Sequence, residues 1–220
     1  MLHKETVDDR TLELLRALQN EPMLSSFNLV GGTALSLRLG HRKSVDLDLF
    51  TDEKFDISEL RQMLERKYSF RVSYERGYTL KGFVGEVMLD FIHYDYPRLM
   101  APDIIDGIRL ESIADIIAMK LSAISQNGTR LKDFIDIAAL STLYSLDDML
   151  GFYTAKFPNS NKIMPAKSIT YFKDIDFNEP VIMLMGKYNW KSISKRLIDM
   201  TKNPNKIFLS LPLQQKVRRL

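Results

Sequence analysis

FNLVGGTALSLRLGHRKSVDLDLF, residues 27–50, changes its hydrophobic period twice over a short length of chain. Phe27 to Val30 is a brief apolar run stopped by Gly31-Gly32, and Thr33 to Leu39 returns to helical composition before Gly40 closes it. Val45 to Phe50 then alternates apolar and acidic residues, the period of a strand with one polar face. The segment reads as strand, glycine turn, helix, strand. Upstream, Leu12, Leu15 and Leu18 recur at helical spacing and predict a helix over 7–20, ended by Pro22. Downstream, a helix at 57–67 precedes three strand-like stretches near 70–75, 78–84 and 86–94, separated by Gly77 and Gly85. Beyond Pro97 and Pro102 the composition turns helical, with helices expected over 111–126, 131–143, 145–156 and 190–202 and a loose linker at 157–165. The expected class is α+β: a mixed sheet with flanking helices over 1–100, followed by a helical bundle over 101–220.

The 220 residues are 45% hydrophobic and 27% charged, an ordinary globular mixture with enough chain for a sizeable core. No apolar run approaches the roughly 18 residues of a membrane-spanning helix, so no membrane partner is expected. The opening MLHKETVDDRTLELL carries acids and arginine where a secretory signal needs an apolar core, and the expected compartment is the cytoplasm. The absence of cysteine removes disulfides, thiol catalysis and cysteine-held zinc; His3, His41 and His93 are too scattered for a histidine metal site. Any metal must be held by carboxylates. The net charge of +3 conceals a basic end, because residues 191–220 carry +7 on a body of −4. That end suits nucleic acid, or equally a solvated helix and a frayed terminus.

In Val45-Asp46-Leu47-Asp48-Leu49 the two carboxylates fall on one strand face with Cα atoms about 6.6 Å apart, where one divalent cation could bridge them. Such a pair alone also occurs as a solvated face. Gly31, Gly32 and Thr33 stand at a strand-to-helix junction, where backbone amides can approach a phosphate and the helix adds its positive end. The loop His41-Arg42-Lys43-Ser44 turns from that helix into the acidic strand, so Arg42 and Ser44 are candidates for phosphate contacts. Asp90 lies in the otherwise apolar Val87–Ile92 run; as a third carboxylate beside Asp46 and Asp48 it would complete a two-metal site, and otherwise it is a buried acid with a structural partner. Lys120 falls within the apolar stripe of helix 111–126, placed to snorkel to water or to reach a phosphate. Asp133 and Asp136 share an edge of the next helix, to orient Lys120, position an acceptor, or pair with Arg130 and Lys132.

With ADIIAMKLSAIS (114–125) and RLKDFIDIAAL (130–140), residues 27–50 make the chain resemble the AbiEii/AbiGii toxin family of nucleotidyltransferases, a branch of the DNA-polymerase-β-like superfamily, over about residues 10–145. The resemblance implies a polymerase-β-like catalytic domain (1–100) and a helical domain (101–220) closing the nucleotide cleft. It also implies Mg²⁺ or Mn²⁺ as cofactor, an NTP as substrate and transfer of NMP to a hydroxyl acceptor. Family members are toxin halves of bacterial abortive-infection toxin–antitoxin pairs, and some relatives act on the acceptor end of tRNA, so RNA and a cognate antitoxin are the expected partners. Residue by residue, it makes Gly31, Gly32 and Thr33 the nucleotide-binding turn, Ser44, Asp46 and Asp48 the S-x-D-x-D strand, Lys120 the lysine of A-x-K-L and Asp133 the aspartate of K-D-x-x-D. Asp90 fits the superfamily's third carboxylate, and Asn127 stands where an arginine is common in the family. The rival expectations are an inactive nucleotide-binding module and a transferase that nucleotidylates a protein hydroxyl.

Overall fold

The computed structural model describes residues 1–213, which fall into two compact units: residues 1–40 with 44–112, and residues 41–43 with the chain from Ile113 onward. The division comes after Ser112 and not at residue 100. Asp103–Ile105 (β6) and Ile108–Leu110 (β7) pair antiparallel around a turn in which Asp106 and Gly107 have φ of 52° and 78°, the Asp-Gly combination that favours a tight hairpin. β7 then pairs with the first strand, so the hairpin belongs to the sheet.

The first unit begins with Asp9–Gln19 (α1), capped by the Asp8 carboxylate on the Thr11 amide at 2.9 Å. Asn28–Leu29 (β1) leads into Gly31–Leu39 (α2), followed by Leu47–Thr51 (β2), Ile57–Tyr68 (α3), Arg71–Arg76 (β3), Thr79–Val84 (β4) and Val87–His93 (β5). The seven strands lie in the order β3-β4-β5-β2-β1-β7-β6, with β2 parallel to β5 and β1 parallel to β7 in an otherwise antiparallel sheet. Strand alternation sends Leu47, Leu49, Leu89 and Phe91 to a fully buried face, where Phe91 meets Phe27 and Phe70 edge-to-face at 6.0 and 6.1 Å. Each such side chain contributes roughly 1.5–3 kcal/mol of burial. The opposite face of β2 and β5 carries Asp48 and Asp90. Every residue of α2 from Thr33 to Leu37 is buried, so this short helix is held by its surroundings, and Gly40 ends it at φ 66°.

The second unit is helical: Ile113–Gln126 (α4), Leu131–Leu140 (α5), Leu146–Lys156 (α6), Ile163–Ser168 (α7) and Trp190–Lys202 (α8). α5 is its centre, buried at nine of its ten positions. Trp190 at the start of α8 packs on Phe134, Phe172 and Phe177 with centroids 5.2–6.4 Å apart. The expected linker at 157–165 in part forms α7. Residues 41–43 are stitched into this unit by an antiparallel bridge of Arg42 with Met183, with the Lys43 amide donating to the Ile182 carbonyl at 2.8 Å and the Leu184 amide to that of His41 at 3.0 Å. No helix among the described residues is long and apolar enough to cross a membrane.

Candidate active site

Within the first unit, α2 starts at Gly31 with φ 70°, a left-handed conformation that a Cβ would strain. A Cβ built there would also stand 2.2 Å from Asp48 Oδ2. The Asp48 carboxylate therefore occupies the space a side chain at residue 31 would need, at the positive end of a helix whose preceding Val30 offers no side-chain cap. Asp48 is in register with Asp90 on the parallel neighbour β5, and Asp90 with Lys81 on the antiparallel neighbour β4. Residues paired this way share a sheet face at about 4.8 Å spacing, so Asp48, Asp90 and Lys81 form a row across three strands.

Asp90 is 7% exposed; its Oδ2 pairs with the Lys81 ammonium and its buried Oδ1 has no hydrogen-bond partner. Asp46 precedes β2 by one residue, and its carbonyl accepts a hydrogen bond from the Thr33 hydroxyl, which also bonds Ser44 Oγ at 2.9 Å. Thr33 is itself buried, so it clamps the start of the acidic strand to α2 and does not face a ligand. Gly31, Gly32, Ser44, Asp46 and Asp48 are all half-buried, open enough to meet one.

The expected cage of three carboxylates is not what forms. Among the described residues no three acidic or histidine side chains are grouped to hold an ion, and Lys81 takes one oxygen of Asp90. What fits a divalent cation is the in-register pair Asp48 and Asp90: two hard oxygen donors, one buried oxygen of Asp90 lacking a partner, and a glycine that leaves space beside the other.

Arg42, Lys120, Asp133 and Asp136 come together in the second unit. Arg42, expected on a phosphate-facing loop, is instead 1% exposed and bidentate to Asp136, Nε to Oδ1 and NH2 to Oδ2 both at 2.7 Å. The bridge to Met183 turns the 41–43 segment inward, and a buried guanidinium must find a carboxylate. Asp136 also takes His41 Nε2 at 2.8 Å and Lys120 Nζ at 2.8 Å, while Lys120 reaches Asp133 Oδ1 at 2.5 Å. Burial by itself would raise the Asp136 carboxyl, but Arg42 and Lys120 outweigh it and hold it well below the usual carboxylate range. Burial would likewise lower Lys120, and Asp133 and Asp136 keep it above its usual value. His41 is pushed down, mainly by burial, so its ring is neutral with Nε2–H donated to Asp136.

Lys81 and His41 were not singled out from the sequence. Lys81 could have been found from the β4–β5 register, which places the lysine of Thr79-Leu-Lys81 opposite Asp90. Of the basic end, Lys191, Lys195, Lys202 and Lys206 are exposed, Arg196 is drawn onto Phe208 and Ser141, and Lys216, Arg218 and Arg219 lie outside the described residues.

Replacing Gly31 by alanine is expected to cost about 1–2 kcal/mol of stability from the positive φ and to displace Asp48, lowering any activity of this site about 10²-fold. Gly85→Ala is the matched control, because φ there is 60° with nothing within 4 Å of a new Cβ. Equal activity losses in the two variants would show strain, not the carboxylate, to be responsible.

A family model described as nucleotidyl transferase AbiEii toxin, type IV toxin–antitoxin system, matches residues 13–209. An uncharacterized protein of Aquifex aeolicus is 32% identical over 168 residues, 74% of this chain and 81% of its own. Among solved structures, MenT4, a nucleotidyltransferase toxin of Mycobacterium tuberculosis, superposes with a TM-score of 0.59 at 13% identity, over 94% of this chain and 84% of its own. JHP933 of Helicobacter pylori gives 0.53 at 16% identity over 90% and 93%. At these identities the two structures establish a shared fold.

Proposed function

The chain belongs to the AbiEii family of nucleotidyltransferase toxins of type IV toxin–antitoxin systems, and from that premise we propose a Mg²⁺-dependent transfer of NMP from an NTP to a hydroxyl of tRNA or another RNA. The observation that carries this reading is the Asp48 carboxylate seated against Gly31 and in register with Asp90, which supports a cation held by these carboxylates beside helix-terminal amides suited to phosphate. Asp48 and Asp90, with Asp46 joining them from the start of the strand, would hold a divalent cation, which would neutralise charge at the phosphates and lower the pKa of the attacking hydroxyl.

The chain's own residues do the rest. The amides of Gly31 and Gly32 and the Ser44 hydroxyl hold phosphate oxygens, and Thr33 fixes Ser44 and Asp46 relative to α2. The acceptor oxygen bonds the α-phosphorus, the bond from that phosphorus to the α–β bridging oxygen breaks, and pyrophosphate leaves with the electron pair. The acceptor proton passes to the Asp90 carboxylate. Lys120 and Asp133 stay in the proposal as a pair taking part in the transfer, supported by their place in the family motifs and by the ion pair that holds them together. Arg42 does not, its guanidinium being buried against Asp136 with a further bond to the Lys43 carbonyl. The exposed lysines of α8 support RNA as acceptor, and the family's system type supports an antitoxin protein as partner.

The test is incubation with α-labelled NTPs, total tRNA and Mg²⁺. Label in the RNA fraction, with stoichiometric pyrophosphate and sensitivity to EDTA, is expected. Label confined to protein would replace RNA by a protein hydroxyl, and nucleotide binding without turnover would reduce the chain to a binding module.

A further inference from the structure

We propose that Lys81 is an internal counter-ion of the carboxylate row, holding in the nucleotide-free protein the place beside Asp90 that a divalent cation takes, and leaving it when the cation binds; this rests on the metal-dependent reading above. Two carboxylates in register on neighbouring parallel strands repel each other, and Asp90 is nearly removed from water, so the pair needs a positive charge. Lys81 provides it from the adjacent strand, bound to one oxygen of Asp90.

Three features separate this from an ordinary surface ion pair. The partner is a 7%-exposed acid within an apolar strand, whereas the lysine side chain is 37% exposed and so free to swing to water on its four-carbon stem. Only one Asp90 oxygen is used, and the other is buried with no partner, a donor set half filled by the ammonium. The charge sits in a row that ends at the carboxylate under Gly31. A lysine in that row lowers the affinity for a cation in the absence of nucleotide, because metal must displace it. An incoming triphosphate supplies the negative charge that draws the ammonium away. Metal and nucleotide binding are thereby coupled, each easing the other.

The experiment is titration of the full chain with Mn²⁺ alone, free Mn²⁺ being read by its EPR signal, for wild type, Lys81→Met, Asp90→Asn and the double variant. Lys81→Met keeps the apolar stem and removes the charge, and it is expected to bind Mn²⁺ about tenfold more tightly, as Coulomb repulsion between the limits of water and a protein surface dictates. Asp90→Asn is expected to abolish that gain. Equal or weaker binding by Lys81→Met overturns the proposal, and so does a gain that persists in the double variant, which would be a general charge effect. If neither wild type nor Lys81→Met binds Mn²⁺ at millimolar concentration, the metal-dependent reading itself fails, a result distinct from the other two.

Discussion

Asp48→Asn should cut NMP transfer by about 10³-fold, the loss of roughly 4 kcal/mol of transition-state charge stabilisation, while leaving the protein folded. The substitution preserves volume and removes one negative charge from a half-buried strand position, where the carboxylate lies against Gly31 and not in the apolar face. Stability should change little, or rise, since Asp48 and Asp90 no longer repel across the β2–β5 pair. Activity measured with the labelled-NTP assay, beside a circular dichroism melt, separates the two quantities. Transfer within threefold of wild type would remove Asp48 from the chemistry and leave it a helix-capping acid at the start of α2.

Asp136→Ala should act in the opposite way, through the fold. Asp136 is fully buried and answers Arg42, Lys120 and His41, so its removal strands cations in a dry interior. Breaking such a pair typically costs about 3–5 kcal/mol, a large part of the stability of a domain. Urea unfolding should show the midpoint fall accordingly. Arg42→Met combined with Asp136→Leu should lose less than the sum of the single changes, because a paired apolar replacement leaves no orphaned charge. A loss below about 1 kcal/mol in Asp136→Ala would mean that water reaches the network.

The same groups give stability a pH dependence with a definite sign. The Asp136 carboxyl is depressed in the folded chain, so its contribution is complete above the ordinary aspartate range and is lost as pH falls through that range toward the folded value. His41 is depressed from 6.5 by burial, so below 6.5 the unfolded chain binds a proton that the folded chain refuses, and stability falls with pH there too. Acidification from pH 7.5 should thus destabilise in two steps, the upper one absent in His41→Gln.

The α+β class, most helices and the strand carrying Asp48 were legible because each rests on local period: 3.6 in α1, α3 and α4, two in β2. The β6–β7 hairpin was missed although Asp106-Gly107 signals its turn, since three-residue strands are too short to show alternation. The family motifs pointed to the glycine turn and the acids, and what those residues touch was a different matter. Thr33 proved to be a clamp, Arg42 a buried partner of Asp136, and Asp90 a carboxylate shared with a lysine.

Chemistry and periodicity are properties of neighbouring residues, so the run from Phe27 to Phe50 announces a glycine turn and an acidic strand before any folding is known. Pairing across strands, and the direction in which a three-residue segment such as 41–43 turns, depend on groups far along the chain: Met183 for Arg42, Asp48 for Asp90. Burial converts those distant choices into charge partnerships, because a desolvated ion must be answered wherever the fold leaves it.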